Sequence, residues 1–297
     1  MGCKTMVAIF TVCVPLLSAA AAPVKLEAGA LRVKSYAQEL VDQVLARNPQ
    51  LLVVTLRTAT PELPNYPIVA SNIGRLGKIA DAGDMPIIAD GKMVVETTPD
   101  GERLKVGLPL HEINGNNIGA LRLQFALRAG ADKAALEKAA IQIRNAMARR
   151  ILSAESLVEP HPLDPGATTK MHAQKIVEQV YAKHGDLNLI GMHVKTPDRE
   201  HPTIIASTFG RIGKKTDEEW AVLSNGKIGT EVKAKGKRFG VQLPLADASG
   251  KPIGAMTIGY PLKPGEDKDA LVAKAIAVRD EIQALIPSVQ SLVELDP

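Results

Sequence analysis

Residues 68–81 read IVASNIGRLGKIAD, and residues 204–217 read IIASTFGRIGKKTD. The two stretches stand 136 positions apart and share an apolar run ending in serine, then Gly-Arg-x-Gly-Lys, then a closing aspartate. The match extends in both directions. Ala37-Gln38 pairs with Ala173-Gln174 at the same offset. Further on one residue is lost and the offset becomes 135: Leu108-Pro109-Leu110 pairs with Leu243-Pro244-Leu245, Ile118-Gly119-Ala120 with Ile253-Gly254-Ala255, and Ser156-Leu157-Val158-Glu159 with Ser291-Leu292-Val293-Glu294. One single-residue gap across so many matches marks a duplicated domain, and two copies are too few for a solenoid.

Each copy has the same order of elements. Residues 36–47 place Leu40, Val41 and Val44 on one helical face, and residues 171–183 do so with Ile176, Val177 and Val180. Strands are predicted over 51–58 and 187–195, and a long irregular stretch containing a short strand at 67–71 follows the first of these. Leu104, Val106, Leu108 and Leu110 alternate to one side, as do Leu121, Leu123 and Phe125, and Asn114-Gly115 between the two runs reads as a hairpin turn. The second copy repeats this with Phe239 to Leu245, Ser249-Gly250, and Met256, Ile258 and Tyr260. A closing helix carries Leu136, Ala140, Ile143 and Met147, matched by Leu271, Ala275, Val278 and Ile282. The expected class is α+β, each module an antiparallel sheet whose apolar face is covered by N- and C-terminal helices. The opposite face, polar and small in composition, is left for water or a ligand. Residues 31–158 and 167–297 form the modules, and 159–166, with Pro160, Pro162 and Pro165, forms a linker expected to act as a hinge.

The first 21 residues read as a secretory signal: Lys4, an apolar run from Met6 to Leu17, then Ser18 and alanines offering cleavage after Ala20 or Ala21. Cys3 and Cys13 both fall within it, so the mature chain would hold no cysteine and be soluble in the periplasm or outside the cell. Apolar residues make up 45% of the 297, and aromatics only 3%, so the cores must be aliphatic. A formal charge of +4 with no basic, aromatic-interleaved run disfavours nucleic acid as a partner.

The two quoted stretches, together with LPLHEINGNNIGALRLQF at 108–125 and LPLADASGKPIGAMTIGY at 243–260, resemble the Cache branch of the PAS-like extracellular sensor domains. The resemblance covers nearly all of each module. It implies two tandem PAS-like (Cache-like) modules, with a small molecule held between the sheet and the long segment after the first strand.

Candidate ligand contacts follow. Arg75 and Lys78, with Arg211 and Lys214, sit among glycines whose neighbouring amides can converge on an anion; the alternative is a solvated turn. Asp81 and Asp217 either meet an ammonium group or cap a turn. Arg57 and His193 hold equivalent strand ends, each two positions after a small residue, and Ser71 and Ser207 end the short strands. Tyr66 and Trp220, scarce aromatics in the irregular stretches, either line a pocket or fill the core. Neither HExxH nor GxSxG occurs, and the histidines at 111, 161, 172, 184, 193 and 201 lack metal-ligand spacing, so neither an enzyme, a metal nor a cofactor is expected. The leading expectation is a binding or sensing protein for a small carboxylate-bearing metabolite, partnered with a membrane receptor or transporter. The alternative is an interaction module that serves such a partner without a small ligand.

Overall fold

The computed structural model describes residues 33–216 and 226–295. The proposed signal segment lies outside them. The first module runs α1 (Tyr36–Arg47), β1 (Leu51–Thr58), β2 (Ile68–Ser71), α2 (Met85–Ile88), β3 (Val94–Thr97), β4 (Arg103–His111), β5 (Asn117–Ala126), α3 (Lys133–Ala148) and α4 (Ala154–Val158). The second runs α5 (His172–Lys183), β6 (Leu189–Val194), β7 (Thr203–Ser207), β8 (Gly229–Lys233), β9 (Arg238–Ala246), β10 (Pro252–Pro261), α6 (Lys268–Ala284) and α7 (Val289–Val293). Each sheet is antiparallel, in the orders β2-β1-β5-β4-β3 and β7-β6-β10-β9-β8. The molecule is therefore α+β, two tandem PAS-like modules.

The helix pair covers one face of each sheet, as the periodicity requires. Leu40 and Val41 of α1 and Ala140, Ile143 and Met147 of α3 pack on Leu56, Leu104, Val106, Leu121, Leu123 and Phe125. Equivalent residues build the second core, including Ile176, Val180, Val241, Ile258, Ala275 and Ile282. Helix α1 starts because the Ser35 side chain accepts from the Gln38 amide at 3.2 Å. The short helices α4 and α7 were not predicted; each opens with a reciprocal serine capping box, Ser153 with Ser156 and Ser288 with Ser291.

Residues kept by both copies hold the frame. Gln38 accepts from the Ser71 amide at 3.1 Å, and Gln174 from the Ser207 amide at 2.9 Å, tying helix to strand end. Arg144 and Arg279 both donate to the carbonyl of a strand proline, Pro109 and Pro244. Gly119 and Gly254 let β5 and β10 approach the first strand: a Cβ would lie 2.0 Å from the Arg57 carbonyl oxygen in one copy and 2.1 Å from that of His193 in the other.

The linker is pinned, which corrects the expected hinge. The Leu163 amide donates to the Ile212 carbonyl at 2.8 Å, His161 donates to Lys34, and Glu159 holds the Arg211 guanidinium through both oxygens at 2.8 and 2.9 Å. The end of α3 then docks on the second module. Arg150 grips Glu178 of α5 in a two-pronged ion pair, and the Arg149 guanidinium lies 4.4 Å from the centre of the Tyr181 ring. Leu152 and Ile113 pack on Leu189, Ile204, Phe209 and Ile212. The prolines of the linker stop a helix but do not prevent the polar contacts that fix it.

Candidate functional site

The face of the first sheet opposite the helices is not open. The irregular segment after β2 folds over it, and Ile87 of α2 settles on Gly107, where a Cβ would lie 2.3 Å from its Cδ1. Ile87, Ile88 and Ala120 form a small apolar cluster with Tyr66, Ala80 and Val94. Beside it sits Asp84, 1% exposed. Its Oδ1 accepts from Arg122 Nε at 2.6 Å, and its Oδ2 lies 3.1 Å from Arg57 Nε. The Asp81 amide also donates to Oδ2, at 3.1 Å. Arg57 Nη1 donates to the carbonyls of Lys78 (2.6 Å) and Tyr66 (3.2 Å). Burial pulls the Arg57 pKa below its ordinary value, against the opposing pull of Asp84 and Asp81.

Several predicted residues thus converge, but on the protein's own carboxylate. Arg57 contributes its side chain; Tyr66, Lys78 and Asp81 contribute backbone groups. Ser71 Oγ lies 3.3 Å from Thr55 Oγ1 and accepts from the Ile73 amide. The Lys78 ammonium meets the Asp81 carboxylate at 3.3 Å in solvent, and this contact first, with the Gly83 amide, holds Asp81 below the usual carboxylate range. Arg75 is exposed, at φ 63°. The amides of Gly77 and Lys78 donate to Ile68 and Arg75 within the turn, and those of Gly213 and Lys214 do the same to Ile204 and Arg211, so the glycine turns are held by their own backbone.

The second module differs at the same face. Position by position, Thr55 is replaced by Gly191, Arg57 by His193, Arg122 by Thr257, Lys105 by Gly240 and Gln124 by Gly259. Each of these five changes reduces the side chain, while Val53 and Gly107 on the same face give way to the larger Leu189 and Gln242. Among the described residues a cavity of about 300 Å³ is bordered by His193, Thr257, Gly240, Gly259 and Leu189 on the sheet. His193 is 4% exposed, its Nδ1 3.0 Å from Thr216 Oγ1 and its Nε2 3.3 Å from Thr257 Oγ1. Among the described residues the rim is cationic: Arg211, Lys214, Lys215, Lys233 and Arg238 accompany one carboxylate, Glu231. Glu231 is 2.6 Å from Lys233, and Arg211 is held by Glu159. Among the described residues Arg238 Nη1 is buried and has no hydrogen-bond partner, and burial pulls the Arg238 pKa down against Glu112 and Glu231. Leu152 of the first module closes one side.

Of the predicted residues in this half, His193, Arg211 and Lys214 line the cavity. Ser207 does not; its hydroxyl donates to the Gly210 carbonyl. Asp217 and Trp220 lie outside the described residues. Sequence reasoning missed Asp84, Arg122, Arg238 and the lysines at 215 and 233. Part of the signal for the cavity was present in the repeat itself, where Lys105 and Gln124 give way to Gly240 and Gly259 on one sheet face. Among the described residues no group of three or more His, Cys, Asp or Glu is placed to hold a metal, and no helix is long and apolar enough to cross a membrane.

No protein-family model matches the chain, and no curated protein matches it in sequence. Solved structures give partial likeness. A candidate GAF sensor protein from Burkholderia vietnamiensis is 16% identical over 54% of this chain and 93% of its own, with a TM-score of 0.31. PelD from Pseudomonas aeruginosa PAO1 is 16% identical over 86% of this chain and 79% of its own, with a TM-score of 0.29. The sensor region of a sensor histidine kinase is 15% identical over 76% of this chain and 90% of its own, with a TM-score of 0.24. At these scores the fold assignment rests on the strand order and helix placement of the chain itself.

Proposed function

We propose that this chain is an exported, Cache-like small-molecule-binding protein that takes an anionic, carboxylate-bearing metabolite in its second module and presents it to a membrane receptor or transporter. The first module is the scaffold: Asp84, lodged between Arg57 and Arg122, fills with an internal carboxylate the place where a ligand carboxylate would lie. The observation that carries the reading is the cavity beneath Gly240 and Gly259, rimmed among the described residues by cations, with the buried Nη1 of Arg238 unpartnered beside it. A buried guanidinium nitrogen without a partner is costly, and an oxyanion supplies what it lacks.

A thermal-shift screen of mono-, di- and tricarboxylates on the purified chain tests this. A ligand at a hundredfold excess over its Kd adds about 2.7 kcal/mol to the stability of the folded state. The hit should vanish in Arg238→Ala, which removes the charge, and in Gly240→Val, which fills the cavity from the sheet. Both variants should melt near the parent temperature without ligand. A carboxylate panel with no hit, or a hit untouched by both variants, refutes the proposed site.

A further inference from the structure

The contact between the two modules is heterologous: the end of the first meets the β6–β7 edge of the second. Because the modules are copies, each molecule also carries one unused version of both surfaces. Among the described residues the edge on the first module is bare. Ile73 and Leu76 are 48% and 41% exposed, whereas their counterparts Phe209 and Ile212 are 7% and 3% exposed beneath Leu152 and Ile113. Ile79 beside them is 52% exposed. On the second module the end is bare. Leu285, the counterpart of Arg150, is 37% exposed, and Leu295 is 69% exposed; Ala248 and Pro287, the counterparts of Ile113 and Leu152, are exposed too.

One pair of charges says what fits there. Inside the molecule Glu159 clamps Arg211 across the contact. The duplication keeps both residues on the bare surfaces, as Glu294 on the end and Arg75 on the edge, where both are exposed. The backbone around them is kept as well. The Glu159 carbonyl accepts from the Tyr36 amide and the Glu294 carbonyl from the His172 amide, both at 2.9 Å, and Arg75 and Arg211 share a φ of 63°. At Leu285 a leucine stands where Arg150 forms an ion pair in the internal contact, and Ala248 and Pro287 stand where Ile113 and Leu152 pack.

We infer that the chain associates head to tail with further copies of itself, the end of the second module of one molecule docking on the β1–β2 edge of the first module of the next, with Glu294 on Arg75. The contact repeats the internal one, so it is unsaturated at both termini of any assembly and produces open chains or rings rather than a closed two-fold dimer.

Sedimentation and light scattering of the purified full chain across a concentration series give the first readout: a mass that climbs past that of a dimer. Leu76→Asp removes the edge and Leu285→Asp removes the end. Both side chains are exposed, so each variant should keep the parent melting temperature when dilute. Each alone should be monomeric. Mixed, they should form a one-to-one complex and grow no further, because one intact edge and one intact end remain. Arg75→Glu and Glu294→Arg should each weaken association roughly fivefold, and the double reversal should restore it. A chain that stays monomeric to its solubility limit, with the apolar edge left to some other occupant, overturns the proposal. So does a dimer that survives Leu285→Asp, or a mixture of the two variants that stays monomeric.

Discussion

The polar face of the first sheet is shut around Asp84, and among the described residues the same face of the second borders a cationic cavity. The backbones beneath are alike: the same strand order, the same serine boxes, the same glutamine tying helix to strand. Five of the positions that diverge lie together on the polar face of the sheet. Duplication frees one copy to hold the structure while the other changes, so residues that agree between copies report on the frame and residues that disagree report on the site. The largest expected effect separates the copies most sharply. Asp84→Ala leaves Arg57 buried without its charge partner and should cost about 3–5 kcal/mol in denaturant unfolding. His193→Ala removes a ring that contacts the Thr216 and Thr257 hydroxyls and should cost about 1–2 kcal/mol. Equal losses would mean that the closed face is no more a structural centre than the open one.

The shared residues make the opposite prediction, of likeness. Gly119→Ala and Gly254→Ala each drive a methyl into a neighbouring carbonyl, and since backbone has little room to retreat, each should destabilise its module by about 2–3 kcal/mol. A difference larger than that between the two would show that the copies no longer share a frame.

Much of this frame was legible in the sequence because it is periodic. Alternation at Leu104 to Leu110 and the four-three-four spacing of Leu136, Ala140, Ile143 and Met147 fix which face is covered, and α1 and β1 begin and end where the pattern places them. The plug on the first sheet was not legible. Nothing periodic links Asp84 to Arg57 and Arg122, which lie 27 and 38 positions away along the chain, and a four-residue helix such as α2 is too short to show a face. The glycine turns drew attention for their charge and recurrence, yet their recurrence reflects a backbone geometry both copies need. Arg238 went unnoticed because its counterpart, Arg103, is also an arginine; what changed is the space around it.

The contact between modules sharpens the comparison through pH. Glu178 is largely buried, which alone would raise its pKa, but the hydrogen bond and charge of Arg150, with Gln174 and Arg47, outweigh this and hold it below the ordinary value of 4.5. A depressed carboxylate stabilises the fold fully above that ordinary value and loses its contribution as pH falls through the lower folded one. Glu178→Gln should therefore cost about 1 kcal/mol at neutral pH and flatten the acid limb of the stability profile below pH ~4.5. Its counterpart Asp42 faces solvent and Lys34. Asp42→Asn is the matched control on the first helix, and an equal flattening there would assign the acid sensitivity to helix charge in general rather than to the module contact.

The smallest expected effect differs in sign between the copies. Arg75 and Arg211 both sit at φ 63°, a left-handed conformation that burdens any residue with a Cβ. Glycine removes that strain but brings more freedom to the unfolded chain, so Arg75→Gly should stabilise the dilute monomer by about 0.5 kcal/mol. Arg211→Gly gains the same relief and loses the two-pronged pair with Glu159, worth about 1 kcal/mol at this half-exposed site, so it should come out destabilised. Parallel chemical denaturation of the two variants decides it. Opposite signs mean that a strained arginine is kept on the second edge for the carboxylate it holds, and that on the first edge the same strain persists in the monomer without a partner. Gains in both would show that Glu159 adds nothing to the pinned linker, and the contact between modules would then rest on Arg149, Arg150 and the apolar residues around Leu152 alone.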